Sequence, residues 1–145
     1  YPTRVHVAET ILRNKSRWKV IHLPHPGFER SKATHQYTGE KYRELLDVCR
    51  IGVACKAGWR DRLVAKYVEL GASWCLPIGD VPSYMNEGMS SSMISVDANS
   101  TEEEIVRKID DALENMNERL EKYVDAVSND YDLKTNVRKL VEQIS

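Results

Sequence analysis

Apolar residues recur every three or four positions in several stretches of this chain, and that spacing predicts helices. Val5, Val7, Ile11 and Leu12 stand among polar neighbours and predict a helix over residues 3–15. Tyr42, Leu45, Leu46 and Cys49 repeat the spacing and predict a second over 39–50. A third amphipathic stretch covers 61–71 and stops at Gly71, a residue suited to the turn after a helix. Ser100 and Thr101, followed by Glu102, Glu103 and Glu104, read as a helix start. A hydroxyl caps the free N–H groups there, and the acids suit the positive end of the helix dipole. That helix is expected to run through Leu120 and beyond, and a last one is expected over 133–144.

Four short apolar runs lie between these helices and predict strands: 18–23, 51–55, 74–78 and 93–96. Pro24, His25, Pro26 and Gly27 break either regular element and predict a loop, followed by a polar exposed loop over 29–38. Met85, Met89 and Met93, with Ser90, Ser91 and Ser92, are expected to form a mobile loop. Strands alternating with helices imply an α/β fold, a Rossmann-like parallel sheet with right-handed crossovers and helices on both faces. Ligands bind such sheets outside the carboxyl ends of the strands. Four loops should therefore gather at one edge: 24–27, 56–60, 79–83 and the region after Val96.

Composition narrows the class. At 145 residues the chain fits one domain, 1–145, with a full-sized core. Hydrophobic content of 41% and charged content of 30% suit a soluble globular protein rather than a disordered one. No apolar run approaches the roughly 20 residues needed to span a bilayer. The polar start, Tyr1, Pro2, Thr3 and Arg4, is not a secretory signal. It lacks an initiator Met, so a processed product or an excised piece of a larger protein is expected. Three cysteines, Cys49, Cys55 and Cys75, are an odd number in apolar contexts; a reducing cytoplasm suits them better than a disulfide framework. Their spacing forms no metal-ligand pattern with the scattered histidines. No Gly-x-Gly-x-x-Gly run, phosphate-binding Gly-rich loop or nucleophile elbow is present.

Net charge is only −1 but is unevenly spread. Residues 1–70 carry 14 Lys and Arg against 7 Asp and Glu; residues 71–145 carry 7 against 15. The basic half can face an anionic ligand such as a phosphate or nucleotide, or the two halves are simply solvated faces of opposite sign. The basic residues are not interleaved with aromatics, which argues against bulk nucleic-acid binding. Within the predicted third helix, Asp61 and Glu69 stand eight positions apart. On a helix they would share a face at roughly 12 Å, a spacing that suits the two ends of an elongated, hydroxyl-rich ligand.

The stretch Ala65, Lys66, Tyr67, Val68, Glu69, Leu70, Gly71, Ala72, then Cys75 to Ile78, then Gly79 and Asp80, carries a family resemblance. It resembles the C-terminal, nucleotide-sugar-binding domain of GT-B glycosyltransferases of the group 1 type. That family reads as a helix with a Glu-containing signature, a small-residue turn, an apolar strand and an acidic loop. Many members have two acids separated by seven residues, and Asp61 with Glu69 looks like that pair. Upstream, Tyr1 to Arg4 and Leu23 to Gly27 look like the family's first helix and a later strand-loop. Downstream, Thr101 to Ile105, the long helix, Tyr131 to Leu133 and the final helix look like its tail. The resemblance covers nearly all 145 residues. The chain departs from it in having Asp61 where Glu is more usual and a bulky Trp74 in the small-residue turn.

The resemblance implies half of a GT-B fold, the donor half, with the N-terminal acceptor domain absent. It implies that Glu69 bonds ribose hydroxyls of a nucleoside-diphosphate sugar and that Asp61 sits near the sugar. Lys56, Arg60 and Arg62 would neutralise the diphosphate, and Gly58 would allow close backbone approach. His25 would meet a phosphate or the nucleoside, and Asp80 opens the acidic loop. The whole protein would then transfer a sugar to a glycan or other acceptor, as in polysaccharide biosynthesis, while this part binds donor without turnover and without a metal or other cofactor. From the residues alone, Glu69 reads equally as an exposed or helix-pairing acid, Asp61 as an acid favouring the dipole, and Lys66 as a solvated or paired side chain. A non-catalytic nucleotide- or sugar-binding module and a structural α/β interaction domain are the other two readings.

Overall fold

Three of the four apolar runs become strands: β1 (Ile51–Val53), β2 (Leu76–Gly79) and β3 (Ile94–Ser95). The structure, a computed structural model, describes residues 2–23, 40–56, 61 and 63–131. The strands form one parallel sheet in the order β1-β2-β3, with Ile51 opposite Leu76 and Ile78 opposite Ile94. Among the described residues six helices accompany it: α1 (Pro2–Arg13), α2 (Glu40–Asp47), α3 (Ala65–Ala72), α4 (Glu87–Ser92), α5 (Glu102–Glu114) and α6 (Met116–Tyr131). All four residues of β2 are buried, so both faces of the central strand are covered. Two helix groups touch it: α1, which pairs with α5, and α3 with α6, which also packs on α4. The fold is therefore α/β around a small three-stranded parallel sheet.

The helix ends follow from local chemistry. Pro2 opens α1, where its missing N–H would have been unpaired anyway. Thr101 caps α5 by accepting from the Glu104 N–H at 3.1 Å, and the Glu104 carboxylate accepts in return from the Thr101 N–H. Asn86 caps α4 by accepting from the Met89 N–H at 2.7 Å. At the end of α3, the Trp74 N–H donates to the Gly71 carbonyl and the Cys75 N–H to the Leu70 carbonyl. That is a Schellman motif, with Trp74 at its left-handed position, φ 52°. A non-glycine residue there costs roughly 1–2 kcal/mol. The Trp74 side chain is 57% exposed and has little packing to lose. Trp74→Gly is therefore expected to raise stability by about 0.5–1 kcal/mol, once glycine's greater freedom in the unfolded chain is set against the relieved strain. A urea midpoint that stays put or falls would contradict it.

Several sequence expectations need correction. Residues 18–23 form no strand; Trp18 instead packs on the core and donates its ring N–H to Asp110 at 3.0 Å. The third helix begins at Ala65, not Asp61. Gly71 does not end it but lies inside it, under α6: a side-chain carbon there would stand 2.7 Å from Val127 and 3.0 Å from Tyr123. The Met/Ser segment is not a loop, because 87–92 is α4 and Met85, Met89 and Met93 are core residues. The long helix breaks at Asn115, whose N–H still donates to α5 while its carbonyl accepts from Arg119 in α6. This one non-helical residue turns α6 back over α3 and α4. The expected loops at 24–27 and 29–38 and the last helix at 133–144 lie outside the described residues.

The seam between the α1 end of the chain and α5 is polar. Arg13 and Asn14 donate to Glu102 at 2.9 and 2.8 Å, and Arg17 donates to Asp110 at 2.6 Å. Hydrogen bonds from Asn14 and Arg13 hold the Glu102 carboxyl below its ordinary 4.5, and Arg17, with Trp18, holds Asp110 below 3.8. Both folded-state values are depressed, so the stabilisation is full above the ordinary values and is lost as pH falls through the lowered ones. Thermal melts should show Tm falling below about pH 4. The E102Q/D110N double variant should melt lower than the parent at pH 7 and lose less on acidification. Parallel curves for the two proteins would exclude the seam as a source of acid lability.

Candidate functional site

The carboxyl ends of the strands gather the polar side chains that the loops carry. Beyond β1 the chain runs through Ala54, Cys55 and Lys56, and beyond β2 through Asp80, Val81, Pro82 and Ser83. Gly79 lets these two segments touch, because a side-chain carbon on it would overlap the Ala54 carbonyl oxygen. The contact is completed by the Lys56 backbone N–H, which donates to Asp80 Oδ1 at 2.8 Å. The Tyr67 hydroxyl of α3 donates to the Asp80 carbonyl at 2.6 Å and lies 3.3 Å from Oδ1. Tyr123 of α6 in turn donates to the Tyr67 carbonyl at 3.1 Å. A hydrogen-bonded thread thus runs from α6 through α3 to the loop after β2.

Lys56 also reaches outward. Its ammonium lies 3.4 Å from Asp61 Oδ1. Asp61 accepts from the Ser83 N–H at 3.2 and 3.3 Å and, through Oδ2, from the Ser83 hydroxyl. Those bonds from the Ser83 hydroxyl and N–H, more than Lys56, hold the Asp61 carboxyl below its ordinary value. Lys56 therefore ties both loops together, its backbone on Asp80 and its side chain on Asp61. An ammonium has three donors, so Lys56 keeps capacity for an anion.

The cysteines do not supply a nucleophile. Burial, and then the Asp80 charge, push the Cys55 thiol up to about 12. Burial pushes Cys75 up to about 12 as well. Both stay protonated at neutral pH, and the thiolate is the reactive form. Among the described residues, no group of three or more His, Cys, Asp or Glu side chains could hold a metal ion. The arrangement is suited to binding: a cation for an anion, and half-exposed carboxylates that accept from hydroxyls.

The structure separates the two acids that the sequence reading placed on one helix face. Asp61 lies four residues before α3 and faces Ser83 across the edge. Its lowered pKa comes first from Ser83 and then from Lys56. Glu69 lies on α3 and accepts from Lys66 at 2.6 Å, while Lys66 also donates to the Tyr42 hydroxyl of α2 at 2.5 Å. Lys66 is thus the paired side chain expected of it. Lys56, Asp61 and Asp80 come together; Glu69 belongs to a different hydrogen-bonded group. His25, Gly58, Arg60 and Arg62 lie outside the described residues. Sequence reasoning missed Tyr67 and Ser83. Tyr67 falls in the apolar stripe of α3 and reads as core, and only its buried hydroxyl signals a fixed partner.

Two open clefts lie elsewhere. One of about 420 Å³ runs between α1 and α5 past Asn14, Arg17, Glu102 and Asp110. The other, of about 280 Å³, lies where β3 meets α5 and α6, beside Arg107, Lys108 and Arg119. Both are lined by side chains already engaged in the ion pairs and hydrogen bonds that hold helices together. No described helix is long and apolar enough to cross a membrane. No protein-family model matches this chain, and no curated protein or solved structure matches it either.

Proposed function

We propose that this domain binds a nucleoside-diphosphate sugar at the carboxyl edge of its sheet, as the donor-binding half of a GT-B-type glycosyltransferase. The observation that carries the reading is Lys56, a half-exposed cation paired with Asp61 while its backbone N–H donates to Asp80, where two strand-end loops meet. Brought to such an edge, a diphosphate meets Lys56, and sugar or ribose hydroxyls meet the carboxylates. Arg60, Gly58 and His25 are assigned to the same ligand by the resemblance alone. Glu69 would take ribose hydroxyls only by exchanging its bond from Lys66. The Rossmann-like reading is supported by the parallel order of the three strands and by helices over both faces of β2. Acceptor binding and transfer belong in this proposal to the other, acceptor-binding half of such an enzyme.

A second reading, a structural or partner-binding α/β domain, is favoured by one fact: Asp61 and Glu69 already have internal partners. A thermal-shift screen with UDP, GDP, TDP, ADP, CMP and their sugar conjugates separates the two. A ligand at about 100 times its Kd adds roughly 2.7 kcal/mol, a shift of a few degrees or more at this size. The donor reading expects that shift for one base, and its loss in Lys56→Ala. A shift that survives in Glu69→Ala would remove Glu69 from the site. No shift with any compound would favour the structural domain.

A further inference from the structure

We infer that Tyr84 is an aromatic platform on which the flat ring of a nucleobase stacks at the edge that holds Lys56. The inference rests on the nucleotide-binding reading above and names the part of the ligand that the charged residues leave unrecognised. Tyr84 is 83% exposed, more than any other large apolar side chain described; Val48 follows at 73%. A solitary exposed aromatic carries little by itself. Here the chain on both sides of it is pinned. Pro82 is fully buried and Met85 is buried. The Met85 N–H closes the turn onto the Pro82 carbonyl at 3.0 Å. Ser83, the residue before Tyr84, is fastened to Asp61 through both its N–H and its hydroxyl.

The backbone of the turn is thus ordered on three anchors while its one ring is left in water. A ring on a rigid mount loses little freedom when a ligand arrives, which is the condition for an effective stacking surface. The position also fits the ligand. Asp61, which fastens Ser83, is the same carboxylate that Lys56 reaches. Phosphates at Lys56 would leave the base within the neighbourhood of the turn. Stacking accepts any base because every base has a π-face, so Tyr84 supplies affinity rather than base choice.

The test compares ligands with and without a base. ADP, UDP and pyrophosphate are titrated into the wild type, Tyr84→Ala and Tyr84→Phe by calorimetry. Removing a stacked ring should weaken ADP and UDP roughly tenfold or more. Tyr84→Phe should keep the affinity, and pyrophosphate should bind all three proteins alike. The Tyr84 ring protons should move upfield in NMR spectra with ADP and stay in place with pyrophosphate. Equal ADP affinity in wild type and Tyr84→Ala would overturn the platform and leave the nucleotide-binding reading intact. A matching loss of pyrophosphate affinity would also overturn it, because Tyr84 would then act on the loop and not on a base. If the wild type binds none of ADP, UDP, GDP, TDP and CMP, both the platform and the nucleotide reading fail.

Discussion

Tyr123→Ala is expected to cost about 4 kcal/mol, enough to leave the domain marginal or unfolded at 37 °C. The Tyr123 ring is fully buried where α6 crosses α3, against Gly71 and beside Val127. No neighbour can fill the space, since the facing residue is a glycine held in a helix. The hydroxyl contributes separately through its bond to the Tyr67 carbonyl. Tyr123→Phe should therefore cost only about 1 kcal/mol. Urea denaturation of the two variants at pH 7 separates cavity from hydrogen bond. Equal losses would mean that the hydroxyl, not the ring, holds α6 to α3.

Gly79→Ala should cost about 3 kcal/mol and act on the site as well as on the fold. A methyl group at Gly79 has nowhere to go, because its direction is occupied by the Ala54 carbonyl, part of the backbone and unable to rotate aside. β1 and β2 would have to part at their carboxyl ends. The Ala54 N–H bond to the Ile78 carbonyl, 3.0 Å, and the Lys56 N–H bond to Asp80 would lengthen together. Ligand affinity should fall even under conditions in which the variant is fully folded. Gly52→Ala is the informative comparison. The atoms it would meet include flexible ends of Leu70, so it should destabilise while leaving the site's hydrogen bonds in place. A Gly79→Ala variant that unfolds at the parent's urea midpoint would show that the two loops are not in contact.

Much of the architecture was legible in the order of the residues. The apolar runs at 51–55, 74–78 and 93–96 overlap β1, β2 and β3, because strands of a sheet covered by helices carry apolar residues toward them. Thr101 with its three following acids started α5 as its chemistry requires. Other features were not readable locally. Residues 18–23 are apolar enough for a strand, yet a strand also needs a ladder partner, and Trp18 is claimed by Asp110 in a distant helix. Met85, Met89 and Met93 recur every fourth position, a helical stripe, but the serines and glycine between them have low helix propensity. Burial of the three methionines in the core decides in favour of α4.

The candidate site divides along the same line. Lys56 and Asp80 could be named only through the resemblance, and Asp61 through its spacing to Glu69. Their partners could not. Asp61 was placed on a helix by local periodicity, and the helix starts at Ala65 instead. Its partner Ser83 is 22 positions away, and Lys56 stands 24 positions from Asp80. By itself the sequence determined the alternation of the three strands with helices, the Thr101 cap and which residues are polar at the loop ends, because each depends on neighbours within a turn or two. Which loops meet, and therefore which acid faces which donor, was decided only by the tertiary structure. The parallel register of β1 on β2 and the bare Cα of Gly79 set that approach, and neither leaves a periodic trace in the chain.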